Sequence, residues 1–320
     1  MLQRLWTLGR SPATLRTYPE LRTLTGCRLR GRVVGIDGTP EQLLRDQERT
    51  VTQLVQAAQE LVAWGASCVG LGAVAAVVGG RGRAVAERLA VPVTSGHSLT
   101  TWAALQTVAL ARRHAGLPEE EPVGILGAPG PVALGLAACL GEQGRPVHLA
   151  FEAVPPPVAR YLGRWPSIQT RPRTAVLAQS RLLAGASSTG DSLRAAELAP
   201  GTLLVDVAQP RDLVAPPRRS DVQVVDGELL TLPPGTSLDP LTRIYNHIVG
   251  QGGRHVLACF AEPMVLAAAG ESRARELCVH QRQPDPRRIL ELGDLAAQQG
   301  FTVDQLFHRG RPLTPRPTPA

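Results

Sequence analysis

The 320-residue chain contains no lysine; all 34 of its basic residues are arginine. That absence excludes every chemistry that needs an amine side chain. A Schiff base, a pyridoxal phosphate aldimine, a Walker-type phosphate lysine and a lysine general base are all out of reach. Aromatic residues make up only 3% of the chain, and no basic run interleaves with rings that could stack on bases, which argues against nucleic acid as a partner. There is no CxxC pair. The five cysteines, Cys27, Cys68, Cys139, Cys259 and Cys278, are odd in number and scattered. This fits a reducing cytoplasm and argues against a disulfide framework or a zinc site. No run approaches the roughly 18 apolar residues of a membrane span, and Leu2 to Leu8 is too short and interrupted for a secretory signal.

The length suits two α/β domains, and 43% hydrophobic residues is ordinary for a globular protein. The net charge of +7 points to an acidic or phosphorylated partner, or to arginines scattered over the surface.

The most informative stretch runs from Pro122 to Gly144. Val123 to Leu126 reads as a buried strand, Gly127-Ala128-Pro129-Gly130 as a tight turn, and Pro131 opens an apolar helix. Such a helix start is an anion site, because its first N–H groups and its dipole both favour negative charge. Gly127, Gly130 and Ala133 form a GxxGxxA variant of the dinucleotide fingerprint. The candidate cofactor cradle is Gly127, Ala128, Gly130, Pro131 and Val132; the alternative is an ordinary βα turn. Glu152 follows the next strand, 25 residues after Gly127, where an acid bonds the adenosine ribose and repels a 2′-phosphate. It favours NADH over NADPH, unless it is only a solvated loop acid. Ser187 lies in a small-residue loop after a later strand, where such residues border a ribose or nicotinamide.

The chain divides in this reading into an N-terminal α/β substrate domain (1–117), a doubly wound Rossmann-type domain (118–238), and C-terminal helices (239–309). Those helices are expected to pack back on the N-terminal domain and complete the catalytic cleft. A disordered tail (310–320) follows. In the first domain one helix is expected from about Thr39 to Trp64. The glycines at 72–80 form either a loop that admits a ligand or a packed turn. The cluster Ser95-Gly96-His97 precedes a helix expected from Leu99; His97 is an acid/base candidate or a capping histidine. Arg254 to Leu266 reads as one apolar helix with a kink possible at Pro263.

Several stretches together resemble the long-chain acyl-carrier-protein reductases of the shikimate/quinate-dehydrogenase-like Rossmann group. They are GLGAVAAVVGG (70–80), VPVTSGHSLTTW (91–102), VGILGAPGPVA (123–133), LLVDVAQPRDL (203–213) and ACFAEPMVL (258–266). The resemblance implies an oxidoreductase that takes an acyl group from acyl carrier protein or coenzyme A onto Cys259 and reduces that thioester to an aldehyde with a nicotinamide cofactor. It also implies that Gly72, Ser95 and Gly96 line the substrate site. The family uses NADPH, which conflicts with Glu152, and His97 stands where the family's motif has Asn. Two alternatives remain. One is a shikimate-, quinate- or amino-acid-dehydrogenase-like oxidoreductase acting on a small polar substrate; its shikimate version needs a lysine that this chain lacks. The other is a non-catalytic dinucleotide-binding protein. LLVDVAQPRD also resembles glutamyl-tRNA reductases, whose nucleophilic cysteine lies in a motif absent here. An oligomer is compatible with all of these.

Overall fold

A computed structural model describes residues 13–188, 190–214, 219–248, 253–278 and 283–313. The chain divides into two compact units. Unit one comprises Met1–His97, Thr231–His280 and Asp294–Thr302; unit two comprises Ser98–Leu230, Gln281–Gly293 and Val303–Ala320. The border thus falls at the start of a helix, not at 117/118, and the stretch 239–309 is shared between the units instead of forming one block.

Unit one opens with an antiparallel pair, β1 (Ala13–Arg22) and β2 (Arg28–Gly35), whose register shifts twice. The weak periodicity of this region is the sequence trace of those bulges, since each one resets which face a side chain takes. The single helix expected from Thr39 is two, α1 (Pro40–Arg45) and α2 (Gln47–Ala63). Thr39 caps the first through a reciprocal capping box with Gln42. Asp46 ends α1 in a non-helical conformation and caps α2, its carboxylate accepting from the Arg49 N–H at 3.1 Å. An aspartate competes with the helix for backbone donors and so prefers caps to interiors. Val51, Leu54 and Ala58 of α2 pack on two short parallel strands, β3 (Val69–Gly70) and β4 (Val93–Thr94), with Leu71, Val78 and Val85. Between the strands lie α3 (Val78–Arg81), distorted by positive φ at Gly79 and Gly80, and α4 (Arg83–Ala86).

Unit two is the regular half. After α5 (His97–His114), five crossovers build a parallel sheet from β5 (Val123–Leu126), α6 (Pro131–Glu142), β6 (Val147–Ala150), α7 (Pro156–Leu162), β7 (Ile168–Arg171), α8 (Arg173–Gln179), β8 (Leu182–Gly185), β9 (Leu203–Asp206) and β10 (Gln223–Asp226). The strand order is β10-β9-β8-β5-β6-β7. Numbered from the first strand of the sheet, this is the 3-2-1-4-5-6 order of dinucleotide-binding folds, with its switch point between β5 and β8. The strands β5, β8 and β9 are buried along their whole length, which is why they read as continuous apolar runs. Helix α8 went unpredicted because only Val176 and Leu177 of its seven residues are buried.

The chain returns through β11 (Leu229–Thr231) to unit one, adding α9 (Pro240–Ile248), β12 (His255–Leu257), α10 (Ala258–Ala269) and α11 (Glu271–Leu277). Helix α12 (Pro286–Gln299) and the strand pair β13 (Phe307–His308) and β14 (Arg311–Pro312) complete it. The expected tail is therefore ordered at its start; residues 314–320 lie outside those described. The expected helix 254–266 is corrected. Its first residues are β12, because His255 and Val256 are β-compatible and Leu257 holds an extended conformation at the helix cap. Among the described residues no helix is long and apolar enough to cross a membrane, and no cluster of three His, Cys, Asp or Glu residues is arranged to hold a metal.

Candidate functional site

In unit two the glycine turn sits at the switch point. Gly127 has φ +102 and presses on the end of β8: a Cβ there would stand 2.3 Å from the Ala186 carbonyl oxygen. Only glycine meets both conditions. Gly130 N–H donates back to the Gly127 carbonyl at 2.8 Å across a turn that contains the cis Ala128–Pro129 bond. Gly130 is then the cap of α6 without a side-chain cap, and Pro131 occupies the first position. The N–H groups of Val132 and Ala133 consequently have no acceptor within the helix. They, with the helix dipole, constitute the anion-binding end of the turn. Gly130 contributes shape, since its own N–H is spent on Gly127.

Glu152 lies two residues beyond β6, exposed, and accepts the Arg173 N–H at the start of α8 at 3.2 Å. Ser187 follows β8, and its hydroxyl and N–H both donate to Asp212. Asp212 is fully buried and also accepts from Ser192 Oγ at 2.6 Å. Asp206, at the end of β9, accepts from the N–H groups of Asp212 and Leu213 at 3.1 and 3.2 Å. This aspartate relay holds Ser187 and Ser192 in place beside the glycine turn. The sequence reading missed Asp212, whose only signal was its place directly after a strand-ending Pro-Arg pair. Burial pushes the Asp206 carboxyl up to about 6 against the pull of those backbone donors, and pushes neighbouring Glu228 up to about 8.

In unit one the other predicted residues converge on the start of α10. Cys259 is its second residue, half-buried, beneath a cap that offers no side chain, so the positive end of the helix dipole lies beside the thiol. Pro263, four residues on, has no N–H to give the Cys259 carbonyl, which must find its partner outside the helix ladder. Gly96 (φ +73) packs on this turn so closely that a Cβ would meet Cys259 Cα at 2.6 Å. A Cβ on Gly72 would meet the Phe260 ring at 2.7 Å. Thr94 Oγ1 accepts the Gly96 N–H at 3.1 Å and donates to the buried carboxylate of Glu262, one turn after Cys259. Ser95 Oγ and His97 Nδ1 are 2.9 Å apart, and His97 is the first residue of α5, two earlier than expected. Arg254 and His255 precede α10 instead of lying on it. The cation near this turn comes from β1: the Arg16 guanidinium, buried, lies 5.2 Å from the centre of the Phe260 ring. Beside Arg16 on the same face is Tyr18, whose hydroxyl burial pushes up.

The strand order and the glycine turn define a Rossmann-like α/β unit built on a six-stranded parallel sheet. No family model matches the chain. Over 303 residues, 92% of the chain, it is 32% identical to the aminotransferase PigE of Serratia sp. (strain ATCC 39006), and it spans about a third (34%) of that relative's length. Among solved structures it is similar to the L-tryptophan dehydrogenase of Nostoc punctiforme (11% identity, TM-score 0.42, 84% of this chain and 68% of that one). It is also similar to the NAD-complexed D-isomer-specific 2-hydroxyacid dehydrogenase of Lactobacillus delbrueckii ssp. bulgaricus (16%, TM-score 0.29, 39% and 45%). Both scores are too low for a shared whole-chain fold, so the class rests on the strand order and the turn.

These findings correct the expected membership of the acyl-carrier-protein reductase group, and with it the reduction of a fatty acyl thioester through acyl-Cys259. A curated relative that aligns with most of the chain is an aminotransferase. Of the resembling stretches, 123–133 and 203–213 are a glycine turn and a buried strand such as any Rossmann sheet builds, and ACFAE is the first turn of α10. Pyridoxal phosphate, the cofactor that the relative's name implies, does not fit this chain either, because no lysine exists to hold it.

Proposed function

We propose that the chain is a nicotinamide-dependent oxidoreductase acting on a small polar substrate, of the amino-acid-dehydrogenase type. The observation that carries this reading is the glycine turn at the switch point of a 3-2-1-4-5-6 parallel sheet, with Gly127 jammed against β8 and the uncapped N–H groups of Val132 and Ala133 behind it. This is the place and chemistry that take a dinucleotide pyrophosphate. Gly127, Ala128, Gly130, Pro131 and Val132 would hold that group. Glu152, exposed at the end of β6, is the residue for the adenosine ribose and favours NADH. The bound nicotinamide supplies hydride chemistry; the chain supplies binding and orientation.

Cys259, His97, Ser95, Gly96 and Gly72 are the substrate-side residues of this reading. Ser95 fixes the orientation of the His97 ring, and Thr94, tied to Glu262, fixes the turn that carries both. A histidine held by a neighbouring hydroxyl is suited to moving a proton at a substrate hydroxyl or amine.

The test is a titration with NADH and NADPH, followed by an assay of nicotinamide reduction with small 2-hydroxy and 2-amino acids. NADH is expected to bind more tightly, and Cys259→Ser and His97→Ala each to lower turnover by about tenfold or more with dinucleotide affinity kept. A chain that binds neither nucleotide does not carry this function. Binding without turnover of any such substrate identifies the non-catalytic reading instead.

A further inference from the structure

Two cysteines outside the site described above face each other in unit one. Cys68 directly precedes β3, and Cys278 is the C-terminal cap of α11, its N–H donating to the Ala274 carbonyl at 2.8 Å. Their thiols hydrogen-bond to one another. Both residues are half-buried, neither sealed in a core nor fully exposed. Further contacts hold the two elements in place. Arg275 of α11 donates to the Ala90 carbonyl, just before β4. Strand β3 is paired with β4, and the Val69 N–H donates to the Pro92 carbonyl at 3.0 Å. Gly70 packs on Pro263 of α10 so closely that a Cβ would stand 2.6 Å from that ring. The fold therefore brings together two thiols from segments that the chain separates by the whole of β5 to β10.

We propose that Cys68 and Cys278 form a reversible disulfide that closes unit one on itself. The oxidant is a low-molecular-weight disulfide. The thiolate of one cysteine attacks a sulfur of that disulfide and expels one thiol, leaving a mixed disulfide. The second protein thiol then attacks it, releases the other small thiol and forms the protein S–S bond. Two protein S–H bonds and one external S–S bond are broken; one protein S–S bond and two external S–H bonds are made.

The remaining cysteines make the pair selective. Cys139 lies fully buried in α6, out of reach of a small disulfide in solution, so it stays inert. Cys259 stands on α10 and Cys27 between β1 and β2. The consequence of the bond is topological. Unit one consists of separate stretches joined through unit two. The disulfide would link Met1–His97 covalently to Thr231–His280. It would also fasten β3, and through its pairing Thr94, to the helix that follows α10.

The experiment is oxidation of the full chain with oxidised glutathione, alkylation of the remaining thiols, cleavage after arginine and mass spectrometry of the peptides. The expected result is a peptide pair linked through Cys68 and Cys278, with two of the five thiols lost and recovered by dithiothreitol. Cys68→Ser and Cys278→Ser should each abolish the link. A parallel readout is limited proteolysis of the oxidised wild-type chain: fragments cut within unit two should stay joined on a non-reducing gel and separate on a reducing one. Wild-type protein that carries only glutathione adducts, that links a different pair, or that links two chains through these residues overturns the proposal. The wild-type results decide this even where a serine variant fails to fold.

Discussion

The two units solve the same problem, holding polar groups in a fixed place, by different means. Unit two uses backbone. Its proposed anion site is a glycine turn and a helix end, and its buried carboxylates Asp206 and Asp212 serve mostly to fix loop N–H groups and hydroxyls behind that turn. Unit one uses side chains brought from distant segments: Thr94 meets Glu262, 168 positions on, and Gly96 meets Cys259. Backbone devices are written in consecutive residues. Side-chain meetings depend on the whole fold, and no short stretch records them.

Glycine substitutions break the comparison most directly. Gly127→Ala places a methyl 2.3 Å from a carbonyl oxygen at φ +102, which should destabilise the protein by about 3 kcal/mol and abolish dinucleotide binding. Gly96→Ala drives its methyl into Cys259 at φ +73. It should cost about 2–3 kcal/mol, yet leave nucleotide affinity unchanged. Gly144→Ala is the control. It has φ +67 and nothing within 4 Å, so only the left-handed backbone penalty of about 1 kcal/mol applies. Urea unfolding and nucleotide titration read all three. Equal losses of nucleotide affinity for Gly96→Ala and Gly127→Ala would end the division of labour between the units.

Titration sharpens the contrast. Burial pushes Glu228 up to about 8 and Asp206 up to about 6, so the fold holds their protons more tightly than the unfolded chain does. Their contribution to stability is therefore complete below the ordinary carboxylate range and is lost as pH rises through about 6 and then about 8. Unit two should weaken from mildly acid to mildly alkaline pH. Trp102 and Trp165 report on it, and Trp64 on unit one. Glu228→Gln keeps the neutral shape and should flatten the alkaline part of the profile. An unchanged slope in that variant would show that Glu228 is not its source.

What was legible follows the same division. The strands β5, β8 and β9 were legible because they are buried along their whole length and leave apolar runs such as Leu203 to Val205, whereas β7 is exposed at its middle residues and leaves none. The turn at Gly127 was visible because its residues are contiguous. Of the N-terminal pair, β2 is legible, since Arg32 to Ile36 reads as a strand, and β1 is not, since the register shifts scramble its alternation between Thr14 and Leu21. The break at Asp46 was hidden because α1 and α2 share one apolar periodicity. The boundary of α10 was misplaced because Val256, Leu257 and Ala258 suit strand and helix alike. Among candidate site residues, Gly72, Ser95, Gly96 and Cys259 came from the resemblance, and the fold brings Gly72 against Phe260 and Gly96 against Cys259. Asp212, Glu262 and Arg16 were not found, since each acts on residues far away in sequence.

The smallest expected effect lies at a contiguous device of unit one. Thr39 and Gln42 form a reciprocal capping box, with Gln42 N–H on Thr39 Oγ1 at 3.3 Å and Thr39 N–H on Gln42 Oε1 at 2.9 Å. Thr39→Ala removes the first bond and leaves the second without its fixed geometry, a loss that in general costs about 0.5–2 kcal/mol. Helix α1 buries none of its residues, so its frayed first turn is repaired by water, and the cost should fall near the lower bound, about 0.5 kcal/mol. Asp46→Ala should cost more, about 1 kcal/mol, because the helix it caps carries Val51, Leu54 and Ala58 into the core. The ratio of the two, read from urea midpoints at constant slope, separates a cap that serves a packed helix from one that serves only itself. Equal costs would mean that α1 is held by more than its cap.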